Sequence, residues 1–191
     1  MLAVASRSFS PEPVAERVTT GLGGGVVDRP GTDIDAFRLA MRRVAATVNI
    51  VTTAGTDGVW AGITATAMNS VSFDPPSLLV CVNRGASVHA ALVGRQLFCV
   101  NVLSAEQADI AARFAVAEDR ALRFQHGEWR EGRLGLPYLR GCCASLFCEV
   151  ANLVEFGTHT VIIGIVVEAI AAEGSLPLVY LDGRYLLSTP R

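Results

Sequence analysis

The sequence predicts a mainly β protein, an antiparallel β-barrel with a few helical insertions. Three observations carry that reading: apolar or alternating runs of strand length recur along the chain, two pairs of them flank Asp-Gly turns, and the helical patterns are too few for strict βαβ alternation. Its 191 residues, 51% of them hydrophobic, suit one domain with a sizeable core.

Residues 1–31 mix Ser, Pro, Gly and charge without periodicity and read as a flexible arm; residues 32–191 form the domain. The run Gly21-Leu22-Gly23-Gly24-Gly25 is not a dinucleotide fingerprint, because Val26 stands where the third Gly belongs and no apolar strand precedes it. Thr32 or Asp33 can cap a helix whose apolar stripe is Ile34, Phe37, Met41 and Val44. Residues 47–54 and 59–67 flank Gly55-Thr56-Asp57-Gly58 and should pair antiparallel. Asp74-Pro75-Pro76 forces an extended turn before a strand over 77–82, and 96–103 is another strand of that kind.

Ser104-Ala105-Glu106-Gln107 has the form of a capping box opening a helix through Ile110 and Phe114, followed by a polar helical or loop stretch over 118–126. Residues 144–156 alternate through Leu146, Cys148, Val150, Asn152 and Val154. Residues 160–170 are apolar almost throughout, as a strand buried on both faces would be, and Gly157-Thr158-His159 is the corner between the two. Residues 178–181 and 184–187 close a hairpin around Asp182-Gly183. The sum is six to eight strands against two or three helices, which favours closure into a barrel.

Composition excludes several functions. All 16 basic residues are Arg, so a Walker-type phosphate loop and Schiff-base chemistry through a protein amine are both ruled out. Those cations are dispersed among 18 acidic residues for a net charge of −2, which gives no surface for nucleic acid. The five cysteines form no C-x-x-C pair and point to a reduced, cytoplasmic chain. Cys81, Cys99 and Cys148 sit in apolar runs as small hydrophobes, and Cys142-Cys143 takes a core or turn role, since nothing nearby lowers a thiol pKa. No run has the length of a membrane span or a secretory core, no ligand spacing suits a metal, and no nucleophile elbow occurs.

The stretch from Gly62 to Pro76 carries the chemistry. A strand ending in small side chains and hydroxyls lets a flat polar ring approach the main chain closely, although a Thr-rich edge strand would have the same composition. Arg84 follows a strand and serves either as a phosphate ligand or as a surface cation. His89 falls on a short helix, and His126 lies in a charged loop. Trp60 and Trp129 read as packing residues, with Trp60 at the barrel rim.

The chain resembles the short-chain flavin reductases, which supply reduced flavin to two-component monooxygenases. The resemblance spans about residues 33–188 and rests on several motifs in the family's order. These are the Gly62 to Ser72 segment followed by Asp74-Pro75-Pro76, the following strand with Arg84 and Ser87-Val88-His89, and Phe98-Cys99-Val100-Asn101-Val102-Leu103. Ala112-Arg113-Phe114, Gly157-Thr158-His159 and Asp182-Gly183-Arg184-Tyr185 complete the set.

The resemblance implies an FMN-binding split barrel, a homodimer with flavin (FMN or FAD) near the subunit interface, and NADH or NADPH as reductant. It places Thr64, Ala65, Thr66, Ala67, Met68, Asn69, Val71 and Ser72 along the isoalloxazine and ribityl chain, and Arg84, Ser87 and His89 toward the phosphate. Arg113 and Phe114 would help close the pocket, with His159 and Tyr185 on the nicotinamide side and His159 as the catalytic candidate. The family corner is commonly Gly-Asp-His, so Thr158 removes an acidic neighbour that would favour the charged ring of His159. The competing expectations are a split barrel that holds flavin without turnover and an oxidase of the pyridoxine-phosphate type. The absence of Lys and of a basic phosphate cluster counts against the latter.

Overall fold

The structure is a computed structural model, and it describes residues 33–116 and 122–186. The expected arm over 1–31 lies outside them, as do residues 118–121 of the polar stretch. A first helix, α1 (Ile34–Met41), is capped by the Asp33 carboxylate, which accepts from the Asp35 N–H at 2.9 Å. Its apolar stripe is exposed rather than packed, since the helix buries no residue.

The strands are β1 (Ala46–Thr47), β2 (Asn49–Ala54), β3 (Trp60–Ala65), β4 (Met68–Phe73) and β5 (Pro76–Asn83), then β6 (Leu97–Val102) after helix α2 (His89–Arg95). Helix α3 (Ala108–Ala115) follows, opened by Gln107, whose side-chain oxygen accepts from the Ser104 N–H at 3.0 Å. The rest is β7 (Trp129–Glu131), β8 (Pro137–Leu139), β9 (Ala144–Phe156), β10 (His159–Ala171), β11 (Val179–Leu181) and β12 (Arg184–Leu186).

Seven strands make one antiparallel sheet in the order β3-β2-β6-β9-β10-β5-β4, beside the small sheets β1-β11-β12 and β7-β8. The β2–β3 hairpin pairs Asn49 with Ala65 through Ala54 with Trp60, as expected, with Gly58 at φ +79° in its turn. The closing hairpin turns on Asp182 and Gly183, whose φ values of +50° and +81° make it a left-handed turn of the hairpin kind.

Three expectations need correction. The twelve strands among the described residues exceed the six to eight predicted. Strands β1, β7 and β8 are too short to show a period, and β4 is a largely exposed edge whose Asn69, Ser70 and Ser72 look like loop chemistry. The sheet is also not hydrogen-bonded all the way round: among the described residues β3 and β4 are its two outer strands. The chain breaks between them at Thr66-Ala67, where the Ala67 carbonyl accepts from the Cys81 N–H of β5 at 3.0 Å. Finally, β10 is not buried on both faces. Burial alternates to Gly164, and Ile165, Val167 and Ile170 are exposed beyond it.

The largest core cluster packs Val51, Val80, Phe98, Val100 and Ile162 on one face of the sheet. A second joins Val48, Ile50, Phe114, Trp129 and Leu178, with Trp60, Phe124 and Tyr185 around it. Trp60, Phe114, Phe124 and Trp129 form a ring cluster with centroids 4.9–5.5 Å apart, which bears out the packing roles expected of the two tryptophans.

Candidate active site at the opening of the sheet

The break between β3 and β4 leaves a cavity of about 260 Å³ lined by Ile63, Thr64, Ala65, Thr66, Ala67, Cys81, Val82, Asn83 and His159. Its floor is set by pairing: β5 lies between β4 and β10, and register places Asn83 opposite His159. Small side chains on the β3 wall keep the main chain accessible. The Gly62 carbonyl accepts from Arg123 Nη1 at 2.8 Å, so that peptide faces away from β2, and the two-residue alternation turns the Thr64 peptide the same way.

The wall is braced from behind. The Thr64 hydroxyl donates to the Ala111 carbonyl of α3 at 2.6 Å, and Asn49 Nδ2 reaches the Ala65 carbonyl at 3.3 Å. Buried Arg123 also donates to the Val116 carbonyl and lies 5.7 Å from the Phe114 ring centroid. A Cβ at Gly62 would come within 2.9 Å of Phe114 Cε1 and 3.2 Å of the Val51 carbonyl, so this strand sits against α3 with no room to spare.

Opposite stands the corner. Gly157 has φ +56°, and the Thr158 hydroxyl lies 2.9 Å from His159 Nδ1, which leaves Nε2 as the ring's other polar atom. The Thr158 carbonyl accepts from the Arg84 N–H at 3.0 Å, and His89 Nε2 lies 2.9 Å from the Thr160 hydroxyl. Arg84 and His89 thus both engage the segment that carries His159.

Decisive for identity is the match of residues 41–186 to the family model described as a flavin reductase like domain. The chain belongs to the flavin reductase-like family. It is 40% identical over 155 residues to the reductase component of an FADH(2)-dependent resorcinol hydroxylase from Rhizobium sp., covering 81% of this chain and 87% of that one. It is 42% identical over 150 residues to the FMN reductase (NADH) RutF of Pseudomonas syringae, covering 78% and 84%. Among solved structures, the NADH:FAD oxidoreductase SgcE6 of Streptomyces globisporus, in complex with NAD and FAD fragments, superposes with a TM-score of 0.77 at 31% identity. That match covers 83% of this chain and 94% of the other.

Of the flavin reductase residues expected from sequence, the fold brings Thr64, Ala65, Thr66, Ala67 and His159 to the cavity. Met68 continues from that wall, paired with Val80. Asn69 and Val71 are exposed along β4, and the Ser72 hydroxyl accepts from the Asp74 N–H at 3.0 Å, inside the turn that contains the cis Asp74-Pro75 bond. Arg84, Ser87 and His89 lie on the segment leaving β5. Phe114 is fully buried behind the β3 wall, with Arg113 half-buried beside it on α3. Tyr185 stands apart, on the small β1-β11-β12 sheet and 5.6 Å from Tyr180 by ring centroids. Burial, and then the neighbouring Tyr180, push its phenol up.

Ile63 lines the cavity as part of the Gly62 to Pro76 stretch, whereas Cys81, Val82 and Asn83 line it without having been expected there, and only the register of β5 against β10 reveals them. Among the other thiols, Cys99, Cys142 and Cys148 are buried, and burial pushes each of them up. Cys142 is pushed up to about 12 by desolvation and then by Cys143, and Cys148 to about 12 by desolvation alone. Among the described residues no group of His, Cys, Asp and Glu could hold a metal ion, and no helix is long and apolar enough to cross a membrane.

Proposed function

We propose that this protein is an NAD(P)H-dependent flavin reductase that passes reduced flavin to a partner monooxygenase. One observation supports this above the rest: the end of β3 and the break after it, Thr64 to Ala67, face His159 across an open cavity in a chain of this family. The relatives named as an NADH-dependent FMN reductase and as a hydroxylase's reductase component give the reaction and its consumer.

The residues fit a flavin. A planar ring needs small side chains, main-chain hydrogen-bonding groups and an open edge, and the β3 wall offers all three. When bound, flavin supplies the hydride acceptor, N5, for the nicotinamide C4 hydride. The protein's part is positioning: the outward-facing Thr64 peptide and its neighbours hold the ring's polar edge and meet the negative charge that develops there. Bracing of Thr64 by Ala111 and of Ala65 by Asn49 fixes that wall. His159, with Nδ1 engaged by Thr158, directs Nε2 toward the donor side. Ser87 and Arg84 take the phosphate side, Arg113 and Phe114 back the wall, and Tyr185, on the small sheet away from this cavity, would serve the nicotinamide side of a second copy.

A homodimer is part of this reading. Val154, Phe156, Ile165, Val167 and Ile170 are exposed on β9 and β10, the two long paired strands, and a second copy would cover them. The five thiols are free, which suits a reducing, cytoplasmic setting. The test is anaerobic stopped-flow absorbance at the flavin band, mixing protein and FMN or FAD with NADH and separately with NADPH. Rapid bleaching with turnover of excess flavin is expected, and flavin that binds but is bleached by neither nicotinamide would sink the proposal.

A further inference from the structure

Arg84 is the first residue after the cavity-lining end of β5, and its guanidinium is already occupied. Nη1 lies 3.1 Å from Glu155 Oε2, and Nη2 donates to the Gly157 carbonyl at 2.6 Å. The two ends of the fork do different things. One holds the corner that carries His159; the other holds a carboxylate at the end of β9, where Glu155 pairs with Thr160. Both side chains face solvent, Arg84 at 46% and Glu155 at 67% exposure, so the ion pair is weak and exchangeable. No Arg lines the cavity itself.

We infer that Glu155 is an affinity-setting residue that competes with the flavin's phosphoryl group for Arg84. The inference rests on the flavin-site reading above and on Arg84 lying toward the phosphate. A phosphoryl group carries more charge and more acceptor oxygens than a carboxylate and takes a guanidinium in the same fork geometry. Arrival of the phosphoryl group therefore displaces Glu155 from Nη1 while Nη2 keeps the Gly157 carbonyl, and the corner stays in place. Displaced Glu155 remains nearby as a like charge, which weakens phosphate binding further. The result is a nucleotide held less tightly than Arg84 alone would hold it, as a reductase that must release its product requires.

The test titrates FMN and riboflavin, which lacks the phosphate, into wild type, E155Q, R84Q and the double variant by flavin fluorescence. E155Q should tighten FMN about two- to fivefold, the size of a released surface ion pair, and leave riboflavin unchanged. R84Q should weaken FMN toward riboflavin and silence E155Q in the double variant. E155A should reproduce E155Q, since charge rather than shape is at issue, and it guards against a fold defect in either variant alone. Unchanged FMN affinity in E155Q, or equal tightening of both ligands, overturns the competition while R84Q still reports the phosphate side. FMN and riboflavin binding alike in wild type and R84Q overturns the placement of Arg84, and with it the inference, but leaves hydride transfer standing. Failure of wild type to bind either flavin overturns both.

Discussion

Strand β2 and residues 165–171 of β10 invert the usual rule about what is buried. β2 reads Asn-Ile-Val-Thr-Thr-Ala, half polar, and all six residues are buried. Residues 165–171 read Ile-Val-Val-Glu-Ala-Ile-Ala, and only Val166 is even half-buried. The difference lies in partners. β2 sits between β3 and β6, and its Thr52 enters a network centred on Asn101, whose Nδ2 donates to the Ile50 carbonyl at 3.1 Å and to Thr52 Oγ1 at 3.3 Å, while Thr53 donates to the Leu97 carbonyl at 2.7 Å and Asn49 Nδ2 to the Thr47 carbonyl at 3.1 Å. Asn101 Oδ1 accepts from the Leu139 N–H at 2.9 Å and from the Ser145 hydroxyl at 3.3 Å. Buried polarity is tolerated here because both ends of the Asn101 amide and the hydroxyls of Thr52 and Thr53 are hydrogen-bonded, Asn49 Oδ1 being, among the described residues, the one buried polar side-chain atom of β2 without a partner. The β10 segment is mostly apolar, and its Ile165, Val167 and Ile170 stay exposed among the described residues, which is what an association surface offers.

The sharpest way to break that contrast is Asn101→Ala. It leaves the Leu139 N–H and the Ile50 carbonyl without this partner inside the core, and should cost about 3 kcal/mol in urea unfolding. His159→Ala acts where β10 begins, and should lower kcat/KM for the nicotinamide at least ~10-fold while flavin affinity holds, as read by stopped flow beside flavin titration. At the exposed end, Ile165→Glu and Val167→Glu should leave unfolding of the separated chain within about 0.5 kcal/mol. Their effect should appear in sedimentation, as a dimer converted to monomer; a dimer that survives both changes would detach the apolar end of β10 from self-association.

The smallest effect is with pH. Thiols that ordinarily ionise near 9.0 are held up to about 12 at Cys142 and Cys148, so the folded state disfavours their charged form. Their contribution is present in full below pH 9 and lost as pH rises toward 12, because the unfolded chain ionises first. Urea midpoints should therefore fall from pH 8 to pH 10, and a rise over that interval would contradict the assignment.

Much of this architecture is visible in the residues. The strand over 144–156, the Asp-Gly hairpins and the Asp33 cap follow from period, turn chemistry and side-chain reach, all of which act within a few residues. β4 stayed hidden because an exposed edge strand needs no apolar alternation, and β7 and β8 because three residues hold no period. In the site, Thr64 to Ala67 and His159 were recognisable from motif resemblance, whereas Asn83 and Glu155 come to the corner only through strand register. The apolar run of β10 gave its strand and misled about its cover, since hydrophobicity alone does not say whether its own chain or another buries it.

Amide hydrogen exchange with and without FMN tests the location of the flavin site most directly. Protection should rise in Thr64 to Asn69, in Asn83 and Arg84, and in Thr158 to Thr160, while the already buried β2 and β6 stay unchanged. Protection centred instead on the exposed groove between Phe37, Met41 and Tyr180, or none at the break between β3 and β4, would contradict the account.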